Sequence, residues 1–239
     1  EQLGLGRAVP VSPDAGNSVA LVSCGHVSLS QWATIVAPQT ESELPDGQVG
    51  EIWLHGDNLG HGYWGNTRQS DLAFHNKLQV RLEQGSHAEG AAVSADWFRT
   101  GDLGVYVDGQ LYIAGRIKDL VIVDGRNHFP QDIEATAAAA SAAVRPGFVA
   151  AFSVPADELP GGATAAGTPG ERLVIVAERA VGAGKSDPAS VVEAIRAAVS
   201  RQHALSVADV QLVAAGSIPR TTSGKLARRA CRANYLTGR

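Results

Sequence analysis

Apolar and polar residues alternate in short runs through the first half of the chain. "QWATIVAP" (Gln31 to Pro38) and "GEIWLHG" (Gly50 to Gly56) are rich in β-branched and aromatic residues and end on turn formers. Both read as strands. "LGVYVDGQLYIAG" (Leu103 to Gly115) holds two such runs around Asp108-Gly109, a preferred pair for a two-residue hairpin turn. Between these strands, Leu78 to Ala95 is polar and rich in Gly, Ala and Ser, and reads as an exposed loop.

The period changes after Arg116. Leu120 to Val123 predicts a short buried strand. Pro130 to Val144 places Ile133, Ala137, Ala140 and Val144 on one helical face. Phe148 to Val154 and Leu173 to Ala177 predict strands, separated by a Gly/Ala/Pro/Thr loop over Leu159 to Gly170. Asp187-Pro188 offers a helix cap with proline in the first turn, ahead of an apolar stripe of Val191, Ile195, Ala198 and Val199. Val210 to Val213 predicts a last strand, and Lys225 to Leu236 a terminal helix. Strands alternating with helices predict an α/β unit over 118–239, behind a β-rich unit over 1–117. The boundary falls near Lys118.

Composition narrows the possibilities. The chain has 239 residues, 44% hydrophobic and 18% charged, enough for one or two domains with cores. Its formal net charge of −4 gives no whole-chain attraction to nucleic acid or an anionic membrane. Cys24 and Cys231 lie far apart and in no C-x-x-C pair. That argues against a zinc site or a disulfide scaffold and fits a reducing, cytoplasmic compartment. Seven histidines are scattered without metal-ligand spacing, so no metal residue is assigned. There is no apolar run of about 18 residues, hence no expected membrane span. The chain has no methionine and opens "EQLGLGRAVP", so it is expected to be a fragment or a processed chain lacking an upstream part.

The chemistry concentrates near one lysine. "PRTTSGKLARRA" (Pro219 to Ala230) sets Lys225 after a Ser-Gly pair and before a basic run. A phosphate-binding loop needs G-x-x-x-x-G-K-[ST], so that backbone N–H groups wrap the phosphates. Here Pro219 stands at the first glycine and Leu226 at the hydroxyl position. "VGAGKS" (Val181 to Ser186) fails too, with Arg179 at the first glycine, and "GLGRAV" (Gly4 to Val9) lacks the third glycine of a dinucleotide fingerprint. Two readings of Lys225 remain: a mobile catalytic lysine, or the first solvated residue of the terminal helix.

Four segments are informative together: "VGEIWLHGDNLGHGYWGN" (Val49 to Asn66), "WFRTGDLG" (Trp97 to Gly104), "GRIKDLVIVDGRNHFPQDIE" (Gly115 to Glu134) and "PRTTSGK". In this order and spacing they resemble the C-terminal part of the adenylate-forming superfamily, over nearly the whole chain. "GEIWLHGDNLGHGYW", "GRNHFPQDIE" and "VSCGHVSLSQWATIVAP" resemble the fatty-acyl-AMP ligases within it. Relatives that use CoA more often carry Gly-Tyr/Phe-Lys-Ile/Val where this chain has Arg126-Asn127-His128-Phe129.

The resemblance implies a ligase that makes an acyl-adenylate from a fatty acid and ATP. It then implies transfer to the phosphopantetheine arm of an acyl carrier domain of a polyketide synthase. It makes 1–117 the end of a large adenylation domain and 118–239 a small mobile lid. Asp102 and Arg116 become ATP-binding residues, since a carboxylate can accept two hydrogen bonds from the ribose diol and a guanidinium suits the same ribose or a phosphate oxygen. Lys118 becomes the hinge, acting through its backbone dihedrals. Lys225 becomes the lysine bridging substrate carboxylate and α-phosphate, where charge develops in the transition state. Thr221, Thr222 and Ser223 are expected to bind phosphate or cap the next helix. The phosphate loop, the Mg2+-binding glutamate and the fatty-acid tunnel are expected upstream, so this chain alone should not adenylate.

Two alternatives accompany this reading: an acyl-CoA synthetase, and a non-catalytic fragment that docks a carrier domain. For the second, the basic run Arg220, Lys225, Arg228, Arg229 and Arg232 is either a solvated face or a surface for an acidic partner. Tyr63, Trp64 and Trp97 are expected in core or hinge packing.

Overall fold

The computed structural model describes residues 2–12, 14–15, 18–123, 125–159, 170–183 and 186–238. They fall into two units, Glu1–Lys118 and Asp119–Arg239.

The first unit is built on an antiparallel sheet of β1 (Gln31–Ala37), β2 (Ser42–Glu43), β3 (Gly50–Gly56), β4 (Phe98–Val107) and β5 (Gln110–Arg116). Their spatial order is β2-β1-β3-β4-β5. Strand alternation sends Ala33, Ile35, Ile52 and Tyr106 to one face. Val36 and Trp53 go to the other, with Trp97. The β4–β5 hairpin closes where expected: Val107 pairs with Gln110, and Asp108 and Gly109 have φ of 50° and 72°. Both are left-handed, which a two-residue turn of this hand requires and Asp-Gly tolerates.

Two features depart from the sequence pattern. A helix, α1 (Thr67–Phe74), follows Asn66, whose side chain accepts the Gln69 N–H at 3.1 Å. It is short and polar and buries Ser70 and Ala73, so it leaves no apolar stripe to read. The 78–95 segment is an irregular loop, exposed over much of its length as expected, but it also buries a few of its residues. Leu78, Ala88, Ala91 and Ala95 pack against Trp53 and Trp97. Buried Glu43 accepts hydrogen bonds from the backbone N–H of Leu82, His87 and Ala88 and from Ser86 Oγ. Arg81 donates to the carbonyls of Ala88, Ala91 and Ala92. Small side chains let this backbone approach the sheet, while Glu43 and Arg81 satisfy the polar groups buried with it.

The second unit begins with a two-stranded ribbon, β6 (Val121–Val123) and β7 (Arg126–His128). Then come α2 (Pro130–Ala139), β8 (Val144–Pro155), β9 (Glu171–Arg179), α3 (Pro188–His203), β10 (Val207–Val213) and α4 (Arg228–Thr237). The sheet order is β10-β9-β8, with β8 antiparallel and β10 parallel to β9. Both faces are covered. Val149, Ala151, Leu173, Ile175 and Ala177 meet Ile133, Ala137, Val191, Ile195 and Val199 of α2 and α3. Ala150, Phe152, Val154, Val174 and Val176 meet Cys231 and Tyr235 of α4. Two buried faces explain why β8 and β9 read as continuous apolar runs rather than alternating ones.

Helix α2 stops at Ala139, and Val144 opens β8 instead of extending the helical face. Ser141 turns the chain: its Oγ accepts the Ala143 N–H and its carbonyl accepts the Val144 N–H. Helix α3 is capped as expected, with the Asp187 carboxylate accepting the N–H groups of Ala189 and Ser190, and all four stripe residues are buried. Of the expected 159–170 loop, 160–169 lie outside the described residues, as do Gly184 and Lys185 of "VGAGKS". Both cysteines are free thiols, Cys24 exposed and Cys231 buried.

Ile195 is fully buried between α3 and the sheet. Ile195→Ala should cost about 2–5 kcal/mol of stability, read from the urea midpoint of the second unit's transition with an unchanged m-value.

Candidate functional site

Asp102 sits on a bulge. Glu51 of β3 pairs with Leu103 of β4, and Trp53 pairs with Arg99, so Thr100, Gly101 and Asp102 together face Ile52 alone. Such an insertion bends the strand and redirects its side chains. Gly101 takes φ of 72° there. The bulge is held from below by Glu51, which is almost fully buried. Its Oε1 accepts the Gly101 N–H at 3.0 Å, and its Oε2 accepts Arg99 Nε at 3.0 Å and Trp53 Nε1 at 3.0 Å. Thr100 Oγ1 donates to the Ile52 carbonyl at 2.8 Å and accepts the Asp102 N–H at 3.0 Å.

Arg116, the last residue of β5, is the cross-strand partner of Asp102. Its Nε donates to Asp102 Oδ1 at 2.7 Å. The side chains of Asp102 and Arg116 keep 29% and 66% of their exposure, so carboxylate and guanidinium meet at a solvent-accessible rim. Lys118 follows two residues later, exposed, in a single 3-10 turn over Ile117–Asp119. The division between the units falls directly after it.

In the second unit, Lys225 lies in a closed loop rather than in the terminal helix. The Thr221 N–H donates to the Lys225 carbonyl and the Gly224 N–H to the Thr221 carbonyl, each at 2.8 Å. The Lys225 N–H donates to Thr221 Oγ1 at 3.1 Å. Gly224 has φ of 78°, which no helix accommodates, and α4 starts at Arg228, three residues after Lys225. Thr221 and Ser223 do not cap that helix: its N-cap is Ala227, without a side-chain hydrogen bond. Thr221 closes the loop on itself instead. The Lys225 side chain is exposed, and its ammonium makes no hydrogen bond or ion pair with the described residues.

The basic run is mostly not a free solvated face. Arg228 forks onto Glu134, with Nε to Oε1 at 2.6 Å and Nη2 to Oε2 at 2.7 Å, and reaches Asp119 at 3.2 Å. Burial pushes the Glu134 carboxyl up, and the Arg228 fork pulls it part of the way back. Arg232 pairs with Glu158 and donates to the Ser153 carbonyl. Of the aromatic residues, Trp97 is fully buried as expected, but Trp64 is wholly exposed and packs in no core of the described residues.

The structure thus joins Asp102 and Arg116 in one cluster, puts Lys118 next to it along the chain, and holds Lys225 in a loop of the other unit. Sequence reasoning missed Glu51 as the support of the bulge and Arg220 as a support of the lysine loop. The signal for Glu51 was a charged residue inside an otherwise apolar strand. Among the described residues no group of three or more His, Cys, Asp or Glu side chains could hold a metal ion. No helix among them is long and apolar enough to cross a membrane.

No protein-family model matches the chain. Over its whole length it is 53% identical to the long-chain-fatty-acid–AMP ligase FadD32 of Mycolicibacterium smegmatis, and it spans 39% of that relative. Over 98% of its length it is 42% identical to the long-chain-fatty-acid–AMP ligase FadD26 of Mycobacterium tuberculosis, spanning 37% of it. The chain therefore spans well under half the length of these curated relatives. A structure from studies of fatty acyl-adenylate ligases of E. coli and L. pneumophila aligns with a TM-score of 0.70 at 28% identity, over 98% of this chain and 36% of that one. McyG A-PCP complexed with phenylalanyl-adenylate also has a TM-score of 0.70, at 22% identity, and shares the fold. The chain carries the fold of the adenylate-forming enzymes and is similar to the C-terminal part of the long-chain fatty-acid–AMP ligases FadD32 and FadD26.

Proposed function

We propose that the chain is the C-terminal part of a fatty-acid–AMP ligase, which activates a long-chain fatty acid with ATP in the cytoplasm. The acyl group then passes to the carrier domain of a polyketide synthase. The observation that carries this reading is the 53% identity to such a ligase along the whole chain. Residues 1–117 are the β-rich end of the large adenylation domain, and 118–239 are the mobile lid. The Mg2+ site that this resemblance implies belongs to the remainder of the ligase.

Each candidate residue has a role suited to its surroundings. Asp102 accepts hydrogen bonds from the ribose hydroxyls of ATP, and the Glu51-supported bulge holds its backbone still while it does so. Arg116 orients that carboxylate through its Nε, and its guanidinium suits the same ribose or a phosphate oxygen. Lys118 is the pivot, a reading supported by the division of the chain directly after it. Lys225 presents its ammonium to the oxygens of the substrate carboxylate and α-phosphate as they gain charge, which lowers the barrier to adenylation.

The full-length ligase, given fatty acid, ATP and a carrier domain, should release pyrophosphate and acylate the carrier. Acyl-CoA accumulating in preference when CoA is added would overturn the assignment. In that ligase, Lys225→Ala should slow adenylate formation by about 10²- to 10³-fold, the scale for one oriented transition-state donor. Transfer from preformed acyl-adenylate should fall far less, as single-turnover assays of the two halves would show. Asp102→Ala should act mainly on the KM for ATP, by roughly 1.5–3 kcal/mol, because a ribose contact is made equally in ground and transition states. Preference for ATP over 2′,3′-dideoxy-ATP should largely vanish in this variant, and a preserved preference would remove Asp102 from ribose recognition.

A further inference from the structure

Lys225 has a free side chain on a fixed backbone. The peptide before it, Gly224–Lys225, is gripped at both ends. Its N–H donates to Thr221 Oγ1 at 3.1 Å, and its carbonyl accepts Arg220 Nη1 at 2.6 Å. The carbonyl after it accepts the Thr221 N–H at 2.8 Å. A peptide is planar, so holding its O and N holds the plane. With the preceding peptide held at both ends and the following one at its carbonyl, the direction in which the Lys225 side chain leaves the backbone is constrained.

Arg220 can grip because it is itself tied down. Its Nη2 donates to the Gly147 carbonyl, in the irregular start of β8. Its guanidinium carbon lies 3.9 Å from the centroid of the Phe148 ring, and that of Arg145 lies 3.4 Å from the same centroid. Two guanidinium groups cannot share one ring face at those distances, so they occupy opposite faces. The ring separates the like charges and offers each a cation–π contact. Arg145 in turn pairs with Glu178 at 2.8 Å.

Glu178 is fully buried and also accepts the Ile218 N–H at 2.9 Å, two residues before Arg220. Burial alone would push its carboxyl up; the N–H groups of Ile218 and Gly216 and the Arg145 guanidinium outweigh that and hold it below the usual range. A buried anion thus anchors Arg145 through a charge pair and anchors the entry of the loop through its backbone.

We propose that Arg220 is the positioning residue for Lys225: clamped on Phe148 and Gly147, its guanidinium fixes the Gly224–Lys225 peptide and thereby aims the lysine. This rests on the reading of Lys225 as the adenylation lysine. A planar, forked donor is needed, because one group must meet two carbonyls and a ring face together, which an ammonium cannot do. Arg220 therefore belongs with the chemistry rather than with a solvated basic face.

The clamp is tested apart from activity by amide hydrogen exchange on this chain. In Arg220→Ala the Thr221, Gly224 and Lys225 amides should exchange about tenfold faster or more, as expected for losing a charged hydrogen bond, while the β9 amides stay protected. Phe148→Leu, which removes the ring but no charge, should loosen the same amides. In the full-length ligase, Arg220→Ala should lower kcat for adenylation about tenfold to a hundredfold with KM for ATP and fatty acid unchanged. Transfer from preformed adenylate should be unaffected, and Arg220→Lys should restore only part of the loss. Wild-type exchange of the loop amides in Arg220→Ala overturns the clamp. A loosened loop with intact adenylation, in a ligase that Lys225→Ala cripples, overturns the positioning role. A loosened loop in a ligase indifferent to Lys225→Ala overturns the catalytic reading of Lys225 and leaves the clamp as a feature of the fold.

Discussion

A carboxylate taken out of water must be met by donors, and Glu43, Glu51, Glu134 and Glu178 meet that demand in the same way. Glu43, Glu51 and Glu178 each tie an irregular segment to a regular one, and Glu134 ties regular elements to one another. Glu43, on an edge strand, collects the backbone N–H groups of 82–88. Glu51 props the bulge under Asp102. Glu134 links α2 to the Ala151 N–H in β8 and to Arg228 at the start of α4. Glu178 links β9 to Ile218 at the head of the lysine loop. The sheets satisfy their own backbones through ladder hydrogen bonds, whereas bulges and loops cannot. Removing one partner of a buried ion pair leaves an uncompensated charge at about 3–5 kcal/mol, so the pair of Glu134 and Arg228, shielded on both sides, holds its elements firmly.

The two units use this device for different ends. In the first, it fixes a charged pair at a rim: Asp102 and Arg116 are joined across two strands with their heads in solvent. In the second, it fixes a backbone and leaves the side chain loose. Lys225 keeps its rotamer freedom while the peptides around it are held. In the adenylation role proposed for it, a cation gains from such an arrangement, since only the side chain remains to be ordered.

Local signals in the sequence were enough wherever neighbours along the chain decide the structure. The Asp108-Gly109 hairpin and the Asp187 cap are of this kind, because turn chemistry and capping act over a few residues. The apolar stripe of α3 was legible for the same reason. Legibility failed where distant partners decide. Ala88, Ala91 and Ala95 are buried because Trp53 and Trp97 lie beneath them, and nothing local announces that. The start of α4 was misplaced because the loop before it closes on itself through Thr221. At the candidate site, Asp102, Arg116, Lys118 and Lys225 came from the order and spacing of motifs. Glu51 and Arg220 needed coordinates, since their work is done on backbone atoms far away in sequence or around a turn.

The two cysteines differ in a way that is useful at the bench. Cys231 is enclosed against the sheet by α4, and burial together with the nearby Glu134 charge pushes its thiol up to about 11. Its thiolate, the form that reacts with alkylating reagents, is therefore scarce at neutral pH as well as shielded. Cys24 is exposed. A maleimide dye would accordingly mark the first unit alone, and the native chain is already a single-label system. One further cysteine engineered on the second unit would supply the other half of a fluorescence pair for following the proposed lid motion.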